Sequence, residues 1–278
     1  MFTFTTFASG SLGNAALVSC GDTNILLDAG ISAKRITAGL AELGVKPWQL
    51  SAILLTHEHS DHVSGLRVLT KKAGAPIYAT RATCWEWYRK NRCDQVKGLF
   101  QPQEAGAGVR IGSLWVESFP TPHDAADSVG WSVAGEGSRM VLCTDLGHVT
   151  DEVRRAVEGC DLLVCEANHD EDWVRSGPYP YYLKRRVLGE YGHLSNEAGA
   201  ELAAFAVEHG TKTVVLAHLS QTNNTPVRAY ETAAHRLLAM DCDPERDISL
   251  TVAPANTLGP TVSLGKEAAA CLAFTSSA

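Results

Sequence analysis

The most reactive side chains of the sequence are crowded into Thr56-His57-Glu58-His59-Ser60-Asp61-His62, which sets three histidines and one aspartate in the order H-x-H-x-D-H. At this chain's His and Asp content, that order arises by chance in roughly six chains per ten thousand. Imidazole nitrogen and carboxylate oxygen are good ligands for divalent first-row metals, and alternate residues of an extended segment point the same way. His57 and His59 can therefore grip one ion, while Asp61 and His62, where the chain turns, can reach a second.

Other chemistry-bearing residues must be brought to this segment, and the sequence shows how. Five short apolar runs each end in a residue able to bind metal or move protons: AILLT before His57, SLWVESF before His123, RMVLC before Asp145, DLLVC up to Glu166, and KTVVLA before His218. If these strands lie side by side, their exits converge at one edge, where loops leave the core and sites are built. A domain boundary between His57 and His218 would cut such a site apart, so residues 1–278 read as one domain. FTFTTF, AALVSC and NILLDAG predict an antiparallel start. Ser32 then caps a helix whose Ile36, Leu40 and Leu43 share a face, and Gly44 ends it. The stretches 81–110 and 170–190 read as surface excursions, and the Ala- and Ser-rich tail after Val262 as loosely ordered.

Composition sets the class. With 278 residues, 45% hydrophobic and 20% charged, the chain is a folded globular protein, which excludes disorder, collagen and coiled coil. A formal charge of −7 argues against a surface that coats itself indiscriminately with nucleic acid. The charge is polarised, however: Arg67–Arg110 carries nine basic and three acidic residues, Asp145–Asp172 two basic and nine acidic. Eight cysteines without a C-x-x-C pair read as buried, reduced thiols. The N-terminus lacks the pattern of a signal peptide and no apolar span is long enough for a membrane, so the expectation is a cytoplasmic protein with no membrane partner.

THEHSDH after a buried strand, with TPHDA at His123, CTDLG at Asp145 and AHLS at His218, resembles the metallo-β-lactamase fold hydrolases over essentially the whole chain. SGSLGN, LLDAG, PHDAADSVG, TDLG, EANHD and GHLSNEA follow the order of the bacterial YycJ/WalJ/VicX group. The resemblance implies an α/β fold, a four-layer αββα sandwich with a di-metal site at one edge between its sheets. It further implies that His57, His59 and His123 hold one metal, that Asp61, His62 and His218 hold the other, and that Asp145 bridges them. Zn²⁺ and Mn²⁺ are the leading candidates, and Fe²⁺ stays open. Asp28 would support the ligands from behind. Two such ions turn a shared water into hydroxide and neutralise charge on an anionic substrate, with Asp61 at the reacting centre.

A phosphodiester leaving group also needs a proton from a group that binds no metal. GHLSNEA resembles the motif that supplies such a histidine in tRNA 3′-processing nucleases of the fold. His193 is thus the candidate general acid and Glu166 its orienting carboxylate. Such a carboxylate fixes the imidazole tautomer and favours the protonated ring. Ser195 can cap the next helix. The expected activity is metal-dependent phosphodiester hydrolysis of nucleic acid and, by resemblance to the YycJ group, 5′ to 3′ digestion of DNA with a link to DNA repair.

Several residues keep two readings. Lys184, Arg185 and Arg186 either hold substrate phosphates or form a solvated helix face. Trp85, Trp87 and Tyr88 beside Arg89, Lys90 and Arg92, and likewise Tyr179, Tyr181 and Tyr182, either stack bases or pack inside. Asn168 and His169 are expected at the surface or in support, without a metal. Asp124 and Asp127 are supporting or solvated, His148 lines the site or stands near it, and His209 and His235 are structural. One rival activity is hydrolysis of a small molecule, a cyclic phosphodiester, thioester or lactone. Another is a non-catalytic, metal-stabilised protein that binds nucleic acid or regulates.

Overall fold

Strands such as AILL and RMVLC are apolar at nearly every position, the signature of strands covered on both faces. The computed structural model, which describes residues 1–265, places them so. The chain begins with β1 (Phe2–Ala8), β2 (Ala15–Cys20), β3 (Thr23–Leu27), β4 (Ala52–Leu54), β5 (Ile77–Thr80) and β6 (Phe100–Gln103). It continues through β7 (Gly108–Ile111), β8 (Leu114–Pro120), β9 (Val129–Gly135), β10 (Ser138–Cys143), β11 (Leu162–Glu166), β12 (Thr213–Ala217) and β13 (Ser249–Val252), and returns as β14 (Val262–Leu264). Among the described residues these form two seven-stranded sheets, ordered β14-β1-β2-β3-β4-β5-β6 and β13-β12-β11-β10-β9-β8-β7.

Side chains alternate between two cores along each central strand. Met140 and Leu142 of β10 point between the sheets with Trp131, Val133 and Val164. Val141 and Cys143 point outward, against Val153 and against Leu202, Ala203 and Ala206 of the helix Asn196–Glu208. In β3, Ile25 and Leu27 face inward while Leu26 packs against Ile36, Leu40, Leu66 and Leu69 on the outer helices. Three buried layers between four layers of structure make the helix–sheet–sheet–helix sandwich expected from the sequence. The antiparallel start is present in β1–β2–β3. Ser32 Oγ accepts from the Arg35 amide to open the helix Ala33–Glu42.

Two expectations need correction. The tail after Val262 does not begin loose: Val262 and Leu264 pair antiparallel with Phe4 and Phe2, and Leu264 is buried in the core between the sheets. Residues 266–278 lie outside the described residues. The stretch 81–110 is no surface excursion either. Its helix Arg81–Asn91 buries Trp87 edge-on against Phe100, and its strand β6 completes the first sheet. The segment 170–190 is largely exposed, with the short helices Glu171–Ser176 and Tyr181–Val187.

The topology explains the position of the site. β10, β11 and β12 run parallel, and β8 reaches the same direction through antiparallel β9. Their carboxyl ends therefore open on one edge, as do those of parallel β3 and β4 in the other sheet.

Candidate metal centre and active site

At that edge the strand exits deliver Asp28 after β3, His57 to His62 after β4, His123 after β8, Asp145 after β10, Glu166 at the end of β11 and His218 after β12. Asp28, Asp145 and His218 adopt left-handed backbone, with φ of 58°, 62° and 57°. Such non-glycine conformations cost about 1–3 kcal/mol each and persist where surrounding structure enforces them. Here the enforcers are visible. The His218 amide donates to Ser9 Oγ at 2.8 Å, and the Asp28 amide donates to the Leu54 carbonyl at 2.8 Å. Gly30 lets the loop after β3 touch the segment after β4: a Cβ there would lie 1.6 Å from the Asp61 carbonyl oxygen.

Hydrogen bonds behind the histidines fix which nitrogen each one offers. His62 Nδ1 donates to Asp28 Oδ2 at 2.8 Å, and His123 Nδ1 donates to the Gly192 carbonyl at 3.1 Å. His218 Nδ1 donates to Glu166 Oε1 at 2.9 Å. Carboxylates and carbonyls only accept, so each of these rings keeps Nε2 for the site. His62 Nε2 lies 3.4 Å from Asp61 Oδ2 and 3.3 Å from Asp145 Oδ2, and His218 Nε2 lies 3.5 Å from both Asp61 Oδ2 and Asp145 Oδ1. On the other side, His123 Nε2 is 3.3 Å from His59 Nδ1, and the His57 ring lies within 5 Å of His59 and His123.

The electrostatics follow. Burial together with His62, His123 and His59 pushes His57 well down. For His62 and His218 burial also opposes the charged form, yet Asp145 with Asp28 and Asp61 lifts the first, and Asp145 with Asp61 and Glu166 lifts the second to about 10. Burial opposes ionisation of Asp61, Asp145 and Glu166, but the surrounding histidines hold all three below the ordinary carboxylate range.

This donor set fits a divalent cation. His57 Nε2, Asp145 Oδ2 and His218 Nε2 are buried and make no hydrogen bond, an arrangement that protein atoms alone leave unsatisfied. Potential ligand atoms fall within 4.8 Å of one another in the groups His57–His59–His123, His57–His62–Asp145 and Asp61–His62–His218. Hard oxygen and imidazole nitrogen donors without thiolate suit first-row divalent metals.

His193 stands beside this cluster. Its Nδ1 donates to Glu166 Oε1 at 2.8 Å, while Glu166 Oε2 accepts the amides of Leu146 and Leu194 at 2.9 and 3.0 Å. Ser195 Oγ caps the following helix through the Ala198 amide.

His193, His59 and Asp61 line a cleft of about 170 Å³ together with Arg186 and Tyr179. Arg186 is tied to Asp124 through Nε to Oδ2 at 2.5 Å. Lys184 Nζ donates to the Arg175 carbonyl, and Lys184 and Arg185 line an adjoining hollow with Tyr179 and Tyr181.

The remaining candidates divide. Asn168 is a buried support: its Nδ2 donates to the His218 carbonyl at 2.8 Å. His169 is buried rather than at the surface, and burial lowers it to about 4. His148 is exposed and bonded to the Glu190 carbonyl, and neither it nor Asp127 lines the cleft. Both His209 and His235 are exposed, at the end of the helix Asn196–Glu208 and within Pro226–Leu238. The base-stacking reading of the tryptophans fails for Trp87, which is in the core. Trp85 is exposed, and Tyr88 is occupied by Lys97 over its ring and by Asp94 at its hydroxyl.

Sequence reasoning gave no role to Ser9, Asn14 or Asn223. Asn14 Nδ2 reaches the Asp61 carbonyl at 3.3 Å and His62 Nε2 at 3.1 Å, so the SGSLGN segment braces the turn at Asp61 and His62.

Comparison with known proteins agrees with this picture. The family model for a beta-lactamase superfamily domain matches residues 23–219. Exodeoxyribonuclease WalJ of Streptococcus pneumoniae is 39% identical over 245 residues, covering 86% of this chain and 90% of that one. Exodeoxyribonuclease YycJ of Bacillus anthracis is 37% identical over 223 residues, covering 80% and 83%. Among solved structures, the metallo-beta-lactamase fold protein YhfI of Bacillus subtilis superposes with a TM-score of 0.68 at 17% identity, covering 94% of this chain and all of that one, which speaks to fold. The chain therefore belongs to the beta-lactamase superfamily, in the family that includes the YycJ and WalJ exodeoxyribonucleases.

Proposed function

We propose that this protein, folded as one domain, is a metal-dependent phosphodiester hydrolase that digests DNA from the 5′ end. The observation that carries the reading is the buried set of unsatisfied ligand atoms on His57, Asp145 and His218, with the Glu166-held His193 beside it. His57, His59 and His123 would hold one divalent ion, Asp61, His62 and His218 a second, with Asp145 between them, and Zn²⁺ or Mn²⁺ suits these donors best. Bound there, the ions supply Lewis acidity and a readily deprotonated water.

The chain's own residues do the rest. Asp28, the Gly192 carbonyl and Glu166 hold His62, His123 and His218 through Nδ1, which leaves Nε2 of each ring on the side of the cluster. The ionised Glu166 likewise accepts the Nδ1–H of His193 and orients the ring, so that the imidazolium form presents its Nε2–H to the leaving oxygen and is left as neutral imidazole. Arg186, Lys184 and Arg185 are the cations best placed for neighbouring phosphates. The relatives named exodeoxyribonucleases support DNA as substrate. The test is hydrolysis of 5′- and 3′-labelled single and double strands with Mn²⁺ or Zn²⁺: progressive release of the 5′ label is expected, and intact strands under every condition would refute the proposal.

A further inference from the structure

The sequence places two asparagines side by side after His218, and the structure gives them opposite fates. Asn224 is saturated: its Nδ2 donates to the Ala167 carbonyl and to Asn196 Oδ1, both at 2.8 Å, and its Oδ1 accepts from the Thr225 amide. It ties the loop to the neighbouring strand exit and helix. Asn223 is just as buried, at 1% exposure, yet neither its Nδ2 nor its Oδ1 has a hydrogen-bond partner. Its main chain is fixed on both sides, the amide donating to Ser220 Oγ at 3.2 Å and the carbonyl accepting from the Asp170 amide at 2.9 Å. The side chain is thus held where it is, lining the same cleft as His193 and His218.

A buried amide left without partners keeps the full cost of its desolvation, so a ligand that pairs both ends is strongly favoured there. The amide sets a donor beside an acceptor. A phosphate offers acceptors only and would leave Oδ1 orphaned. Every nucleobase, by contrast, carries a donor beside an acceptor on its Watson–Crick edge. Part of the lining suits a flat ring: Tyr179 is half-buried, and Leu183 and Val187 supply aliphatic surface.

We propose that Asn223, with Tyr179, binds the Watson–Crick edge of a base next to the scissile phosphodiester, so that the substrate is DNA whose end is single-stranded or frayed. An amide can present its two ends in either order, so the contact tolerates all four bases. This inference rests on the phosphodiesterase reading above and refines its substrate.

The experiment crosses enzyme variants with base deletion. Wild type and Asn223→Ala, fully metal-loaded, are assayed on single-stranded oligonucleotides carrying an abasic residue on one or the other side of the first cleavable bond. For wild type, removing the base at one of the two positions should lower kcat/KM by more than about fivefold, and Asn223→Ala should lose about as much on intact DNA while showing no further loss from base removal. Asn223→Leu, which removes both polar groups while filling the space, should behave as Asn223→Ala does. An abasic penalty that persists undiminished in both variants, or no penalty in wild type, overturns the inference while leaving the phosphodiesterase reading intact. Wild type that hydrolyses no DNA overturns both.

Discussion

His193 and His218 share a single oxygen: Glu166 Oε1 accepts from Nδ1 of both rings, at 2.8 and 2.9 Å. One carboxylate thus orients a candidate proton donor and a candidate metal ligand, and its second oxygen is saturated by two backbone amides. Glu166→Gln should disturb both roles at once, because a neutral amide cannot accept from two rings and two amides together. We expect metal affinity to fall roughly 10- to 100-fold and kcat to stay depressed even at saturating metal. Metal titration followed by kcat measurement checks this; recovery of full kcat on metal saturation would show that Glu166 serves the metal ligand alone.

His193→Ala separates the two roles. The ring is not needed to hold His218, so metal content should be unchanged while turnover slows by roughly 10² to 10⁴. Metal analysis of the purified variant decides the point, since loss of an ion would make His193 a ligand.

Asp28 acts at the opposite side of the cluster, accepting from the Thr56 amide at 2.9 Å and from His62 Nδ1. Asp28→Asn preserves shape and the left-handed backbone but removes the charge facing His62. A competition titration against a chelating dye should show roughly 10- to 100-fold weaker binding at one metal position. Equal affinity would mean that His62 needs no carboxylate behind it.

The basic helix Tyr181–Val187 predicts a graded salt effect. If Lys184 and Arg185 both meet phosphates, their double replacement by Ala should reduce the salt slope of single-strand DNA binding by about 1.4, and adding Arg186→Ala should bring the reduction to about 2.1. A slope unchanged in the triple variant would remove this helix from the substrate path.

Much of this site was legible because its signals are local. H-x-H-x-D-H is rare, and an apolar strand that stops at a His, Asp or Glu is easily seen, so the strand exits and their residues could be read in order. Ser9, Asn14 and Asn223 escaped notice because serine and asparagine are ordinary turn residues, and only tertiary packing turns their amides and hydroxyls toward the site. Trp87 kept two readings because it sits among cations, and the structure gives it the packed one. Trp85 and Trp87 lie on opposite sides of one helix, and which side is inward depends on the sheet beneath, where Phe100 waits. The strand Val262–Leu264 is too short for a period of two to be read, and its order comes from pairing with Phe2–Phe4.

The most direct measurement is metal stoichiometry by elemental mass spectrometry on the purified protein and on Asp145→Ala, joined to hydrolysis of DNA before and after chelation. The account predicts two divalent ions per chain in the wild type, at least one fewer in Asp145→Ala, and activity that disappears with chelator and returns with Mn²⁺ or Zn²⁺. Asp145→Ala protein that keeps both ions, or chelated protein that cleaves DNA at the full rate, would contradict it.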